Sequence, residues 1–176
     1  MMKKYFIIAL FTCLFSFQAL GADKHVNIYE IPREMPSREI IGENGDKFKI
    51  SDFNGDFVMI VIWSRYCAPC IKELDNLNAF VKKTRNNGIR VVMLSPEEEW
   101  KSMSEQRNFL NNFHAPDLEF YVDHDKKLAE DLGVFTSPHT VLVNTKGEEI
   151  GRIRGSAEWD KDAVIEYIYK IKAENG

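Results

Sequence analysis

Two apolar runs of strand length constrain this chain most: residues 57–63 (Phe-Val-Met-Ile-Val-Ile-Trp) and residues 89–94 (Ile-Arg-Val-Val-Met-Leu). Runs of this kind suit strands covered on both faces. Between them Ile71, Leu74, Leu77 and Val81 recur at helical spacing. Asn86, Asn87 and Gly88 close that helix, and Lys82, Lys83 and Arg85 favour its C-terminal dipole. Strand, helix, strand at this length is a βαβ unit with a right-handed crossover. It commits the chain to a sheet that is parallel at its centre and carries helices on both faces.

The remaining elements are placed around that unit. Upstream, residues 23–38 read as an extended lead-in. Ile40, Ile41 and residues 48–50 then flank Asn44 and Gly45, an N-terminal hairpin. Downstream, Pro96 and the acids Glu97, Glu98 and Glu99 read as the first turn of a second helix, ending near Phe113. A short strand over 118–122 and a short helix over 125–132, stopped by Gly133, follow. Residues 140–144 and 148–154 form a hairpin about Thr145, Lys146 and Gly147. An amphipathic helix over 157–173, with Val164, Ile165, Ile168 and Ile171 inward, ends the chain. The fold class is α/β, a mixed central sheet flanked by helices, antiparallel at one edge, with an N-terminal hairpin and a central insertion.

Residues 1–22 differ from the rest. Lys3 and Lys4 precede a nearly continuous apolar stretch over 5–17, and small residues lie at 19, 21 and 22. That is the pattern of a secretory signal peptide. The other reading is an uncleaved anchor, because the stretch is close to the lower length limit of a spanning helix. Residues 23–176 then form one domain. Cleavage removes Cys13 and leaves two cysteines. It also moves the net charge from −4 to −6, since Lys3 and Lys4 are the only charges in the segment. A mildly acidic body argues against nucleic acid or an anionic membrane surface as partner.

The two cysteines form Cys67-Ala68-Pro69-Cys70, placed directly after the first apolar run. Two thiols separated by two residues at the start of a helix can cycle between dithiol and disulfide. The motif falls at the carboxyl end of a central strand, where open α/β sheets carry their active groups. Cys67 would stand at the helix N-terminus, where free N–H groups and the dipole favour a thiolate, so it is the expected attacking sulfur. Cys70 lies further in and suits the resolving role. A structural zinc site needs about four ligands, and only this pair is available. A purely structural disulfide gains little from so short a loop. Glu73 shares a helix face with Cys70. Partly buried there, its carboxyl has a raised pKa and can exchange protons with Cys70. Pro138 precedes a strand. It is either a plain strand-start proline or a cis residue that exposes the Ser137 backbone to an extended substrate segment. His25, His114 and His124 carry no motif and read as surface or loop residues.

These residues together resemble the thioredoxin superfamily and, within it, the bacterial extracytoplasmic group of TlpA-, ResA- and CcmG-like thiol–disulfide oxidoreductases. The resemblance covers roughly residues 36–173. It is carried by Trp63, Ser64, Arg65, Tyr66, the Cys67–Cys70 motif, Glu73 and Leu74, and by Gly133, Val134, Ser137 and Pro138. Residues 51–55 and 123–126 add to it, as does the insertion from about 96 to 122. The resemblance implies a thioredoxin-like fold with Cys67 as nucleophile, Cys70 resolving, Pro138 cis and Glu73 as the active-site acid. Thioredoxin's buried aspartate position falls on Val61, so the chain would rely on Glu73 instead. Tyr66, Ser137, Pro138 and His139 are the expected substrate contacts. No cofactor is implied beyond a redox-active Cys67–Cys70 disulfide, and no metal. The implied partners are client proteins with disulfides and a membrane thiol carrier as electron donor, with the chain a monomer outside the cytoplasm. Tyr66, Ala68, Thr136 and His139 depart from the usual residues, which bears on substrate choice and redox poise.

Three functions follow. The leading one is a periplasmic reductase of specific client disulfides, such as those met in cytochrome c or oxidase maturation. The second is a disulfide oxidase or isomerase. The third is a copper-binding chaperone in which Cys67, Cys70 and His139 converge, since thiolates and imidazole suit copper.

Overall fold

The computed structural model describes residues 25–176, so the segment 1–22 lies outside the described residues. Twelve regular elements follow one another: β1 (Val26–Glu34), β2 (Ile40–Gly42), β3 (Lys47–Phe48), β4 (Phe57–Ile62), α1 (Ala68–Thr84), β5 (Ile89–Pro96), α2 (Met103–Asn112), β6 (Glu119–Asp123), α3 (Lys127–Asp131), β7 (His139–Val143), β8 (Glu148–Arg154) and α4 (Asp162–Asn175). All eight strands join one sheet in the order β1-β8-β7-β4-β5-β6-β2-β3. Strands β4, β5 and β6 run parallel, and β7, β8 and β1 add antiparallel on one side. This is the thioredoxin-like α/β arrangement expected, and the hairpin β2–β3 forms as the Asn-Gly signal suggests.

Alternation along β4 divides the core. Phe57, Met59 and Val61 face α1, α2 and α4, packing with Leu74, Leu77, Leu110 and Ile168. Val58, Ile60 and Ile62 face α3, packing with Leu128, Leu132 and Val134. Every residue of β4 is buried, which explains the unbroken apolar run. Each such side chain contributes about 1.5–3 kcal/mol relative to exposure.

Three expectations need correction. The lead-in over 23–38 contains β1, a nine-residue strand paired with β8. It reads poorly because most of it is solvent-facing and Pro32 interrupts it. Gly151 admits it, since a Cβ there would stand 2.6 Å from the Asn27 carbonyl oxygen. The second helix does not open at Pro96. Residues Glu97–Glu99 form a single 3-10 turn, Trp100 is extended, and α2 starts after Ser102. The Ser102 hydroxyl accepts from the Glu105 N–H at 3.1 Å, half of a capping box visible as Ser-x-x-Glu. The last helix starts at Asp162 rather than 157, and in the segment before it the Ala157 N–H donates to the Glu73 carboxylate at 3.1 Å.

Candidate active site

Strand β4 ends at Ile62, and a short loop delivers Cys67 to the N-cap position of α1. Pro69 fits the first turn because N–H groups there have no intrahelical partner. Cys67 and Cys70 are joined by a disulfide with Cα atoms 5.2 Å apart. Cys70 is 1% exposed, whereas Cys67 is only partly buried. The Cys67 Sγ accepts from the Cys70 N–H at 3.3 Å. A sulfur reachable from solvent and held against a helix N-terminus can attack as a thiolate. The second sulfur is shielded from solvent.

The Ser137–Pro138 peptide bond is cis, and the Ser137 carbonyl oxygen lies 3.5 Å from the Cys67 Sγ. Ser137 is half-buried and Pro138 buried. A cavity of ≈ 300 Å³ opens beside this loop, with Ser64, Pro96, Val134 and Phe135 among its walls. Two aromatic side chains stand in solvent near the motif in sequence or on the cavity rim: Tyr66, 78% exposed, and Phe135, 82% exposed. Phe135 carries no motif of its own, and only its place before the Ser137–Pro138 loop marks it.

Glu73 is buried, one helical turn beyond Cys70 on the core-facing side of α1. Burial pushes its carboxyl pKa up to about 7, against the opposing pull of donors from Ala157 N–H and Trp159 Nε1. Near neutral pH such a carboxyl both holds and releases a proton, as a proton partner for Cys70 must. Its two donors come from the segment between β8 and α4, too distant in sequence for spacing to reveal.

His139 is not on the site surface. It is the first residue of β7, 5% exposed, and pairs with Ile62. It therefore shares the sheet face of Val141 and Val143, the α3 face, while Cys70 packs on the α1 face. Burial first, then Arg152 and Arg154, lower its pKa to about 4, so the ring is neutral. Its Nε2 is buried without a hydrogen-bond partner among the described residues. The expected substrate contact at His139 is thus corrected, and so is the convergence of Cys67, Cys70 and His139 on copper. Among the described residues, no group of three or more His, Cys, Asp or Glu is arranged to hold a metal.

The acidic run is spent on pairing. Glu97 meets His124, Glu98 meets Lys126 at 2.7 Å, and Glu99 accepts from the Ser64 hydroxyl at 2.7 Å and the Arg65 N–H at 2.9 Å. Glu99 thereby belongs to the loop before Cys67, a role its spacing does not announce.

Comparison with known proteins agrees with this geometry. Residues 33–168 match the Redoxin family. The chain is 30% identical over 144 residues to the thiol-disulfide oxidoreductase ResA of Bacillus thuringiensis subsp. konkukian, covering 81% of this chain and 79% of that one. It is 28% identical over 109 residues to the thiol:disulfide interchange protein DsbE of Vibrio cholerae, covering 62% and 55%. The fold superposes on a DsbE-type thiol:disulfide interchange protein of Chlorobium tepidum with a TM-score of 0.67 at 22% identity, covering 79% of this chain and 95% of that chain.

Proposed function

Because the chain belongs to the Redoxin family, as a thioredoxin-like thiol–disulfide oxidoreductase of the ResA and DsbE kind, we propose that it reduces disulfides of specific client proteins outside the cytoplasm. The observation that carries this reading is the division of labour at the motif: Cys67 accessible at the helix N-terminus, Cys70 buried, and a carboxyl with a pKa of about 7 one turn further on.

In the reduced protein the Cys67 thiolate attacks one sulfur of a client disulfide. A Cys67–client disulfide forms, and the second client sulfur leaves as a thiolate and takes a proton. Cys70 then gives its proton to the ionised Glu73 and attacks the Cys67 Sγ. The Cys67–Cys70 disulfide closes, and the remaining client sulfur departs as a thiolate. Two electrons have passed to the client. An external dithiol, in this reading a membrane thiol carrier, returns the pair to its reduced form. The Ser137 carbonyl beside Cys67 is available to pair with an extended client segment.

Residues 1–22 support export, either as a cleaved signal or as an anchor. Clients in cytochrome c or oxidase maturation follow from family resemblance. The opposite direction, disulfide formation or isomerisation, uses the same atoms and differs in redox poise. Equilibration with glutathione or a dithiol buffer decides between them. A potential near about −270 mV, typical of thioredoxin, supports the reductase, and one near about −120 mV, typical of a strong periplasmic oxidant, overturns it. Cys70→Ser is expected to leave Cys67 in a mixed disulfide with its client, identifiable by mass spectrometry. Cys67→Ser is expected to trap none.

A further inference from the structure

Residues 64–66 carry the chain from β4 to Cys67 without regular structure. The amides of Arg65, Tyr66 and Cys67 are nevertheless all tied. The Arg65 N–H goes to the Glu99 carboxylate at 2.9 Å. The Tyr66 N–H goes to the Ser64 hydroxyl oxygen at 3.1 Å, and the Cys67 N–H to the Ser64 carbonyl at 3.1 Å. The Ser64 hydroxyl in turn donates to Glu99 at 2.7 Å. Glu99 is thus the anchor to which the whole turn is fastened, directly at Arg65 and through Ser64 at Tyr66 and Cys67.

The attachment is reciprocal. Arg65 Nη1 donates to the Glu99 carbonyl at 3.0 Å and to the Glu105 carboxylate at 3.0 Å, and its guanidinium lies 4.6 Å from the Trp100 ring centre. Glu99 can reach the loop because β5 lies parallel to β4, so both chains leave the sheet at the same rim. Its neighbours Glu97 and Glu98 point instead to His124 and Lys126.

We propose that Glu99 is a positioning residue for Cys67, holding the loop 64–66 so that the sulfur meets the N-terminus of α1. The proposal rests on Cys67 being the attacking sulfur. Stabilisation of a thiolate by a helix N-terminus fades within the first turn, so a small displacement of the N-cap residue weakens it. A charged acceptor makes a stronger tie than a neutral one. Without Glu99 the Arg65 side chain keeps Glu105 and Trp100, so the loss is confined to the backbone tie and the Ser64 hydroxyl.

The test is alkylation of Cys67 by iodoacetamide in the reduced full chain across pH, read by mass spectrometry beside thermal unfolding. Glu99→Ala is expected to alkylate about tenfold more slowly at pH 7, as small misplacements of reacting groups do, with its pH profile moved to higher pH. Ser64→Ala moves the profile the same way by less. Glu99→Gln, whose amide oxygen still accepts one bond, recovers part of the rate. Glu97→Ala overlies the wild type. A wild-type profile for Glu99→Ala overturns the proposal, even where its melting temperature falls. Should that variant fail to fold, unchanged profiles for both Glu99→Gln and Ser64→Ala overturn it equally. Failure of Cys67 to alkylate in the wild type would instead overturn the nucleophile assignment beneath it.

Discussion

Trp159 donates its indole Nε1–H to Oε2 of Glu73 at 3.0 Å, across 86 residues of chain. The same oxygen accepts from the Ala157 N–H. Both bonds favour the ionised carboxylate, while burial favours the protonated acid, and burial wins. The indole thereby tunes the acid and also fixes where it sits.

Removing that donor shifts the balance further. Trp159→Phe keeps an aromatic ring against Phe80 and loses the N–H together with part of the indole's buried volume. A hydrogen bond to a charged group is worth about 1.5 kcal/mol, or roughly one pH unit. The pH dependence of disulfide exchange is expected to move upward by about that amount. Stopped-flow exchange with a model disulfide across pH checks it, and an unmoved profile would show that Glu73 does not govern the rate.

Glu73→Gln tests the proton transfer itself. Both observed bonds go to one oxygen, which a glutamine retains. Packing is therefore preserved while the proton acceptor is lost. Resolution of a Cys67 mixed disulfide is expected to slow by about a hundredfold at pH 7. The first attack, by Cys67, is expected to change little. Equal slowing of both steps would contradict the assignment of Glu73 to Cys70.

Stability against pH separates the two buried titrating groups. Glu73 has its pKa raised from 4.5 to about 7, so its contribution is present below pH 4.5 and lost as pH rises through 7. His139 has its pKa lowered from 6.5 to about 4, so its contribution is present above pH 6.5 and lost as pH falls towards 4. Each is worth about 3 kcal/mol over its window. Between pH 4.5 and 6.5 the two slopes oppose. Relative to wild type, Glu73→Gln is expected to gain stability with rising pH there, and His139→Leu to lose it. Urea unfolding at several pH values measures both, and parallel curves for all three proteins would refute the shifts.

Gly151→Ala addresses the edge strand. The new methyl would meet the Asn27 carbonyl at 2.6 Å and Ile28 at 2.7 Å. Overpacking of this kind costs about 1–3 kcal/mol. Loss of hydrogen-exchange protection is expected first in β1, whose pairing with β8 the methyl wedges apart. Protection equal to wild type throughout β1 would show that the strand moves aside without cost.

The parts legible in the sequence are those whose cause is local. Residues 57–62 are buried on both faces, so apolar content alone marks β4. Cys67, Cys70 and Glu73 lie on one helix, where spacing sets which side chains share a face. β1 escapes because its stability comes from β8 and from an absent side chain at Gly151. The start of α4 escapes because Ala157 and Trp159 are held to a carboxylate on α1, a long-range contact that no local pattern marks. Glu99 reads as a helix-opening acid until the parallel pairing of β4 and β5 carries it to Ser64 and Arg65. His139 misleads for the same reason: one step of strand register turns it from the dithiol to the α3 face.

Three successive antiparallel pairings, β4 with β7, β7 with β8 and β8 with β1, bring the beginning of β1 to the rim where β4 ends. The Arg154 N–H bonds the His25 carbonyl there at 2.8 Å, and Arg154 pairs with His139 beside Ile62. Helix α4 runs the other way. Near its end Tyr169 bonds Asn87, whose neighbour Gly88 accepts from Phe57 at the start of β4. A dye, bead or fusion carried on Gly176 consequently hangs from the far side of the molecule. A handle joined ahead of His25 lies on the same rim of the sheet as the end of β4. For an immobilised form of the protein, the C-terminus is the point of attachment that keeps the support away from the rim that carries Cys67.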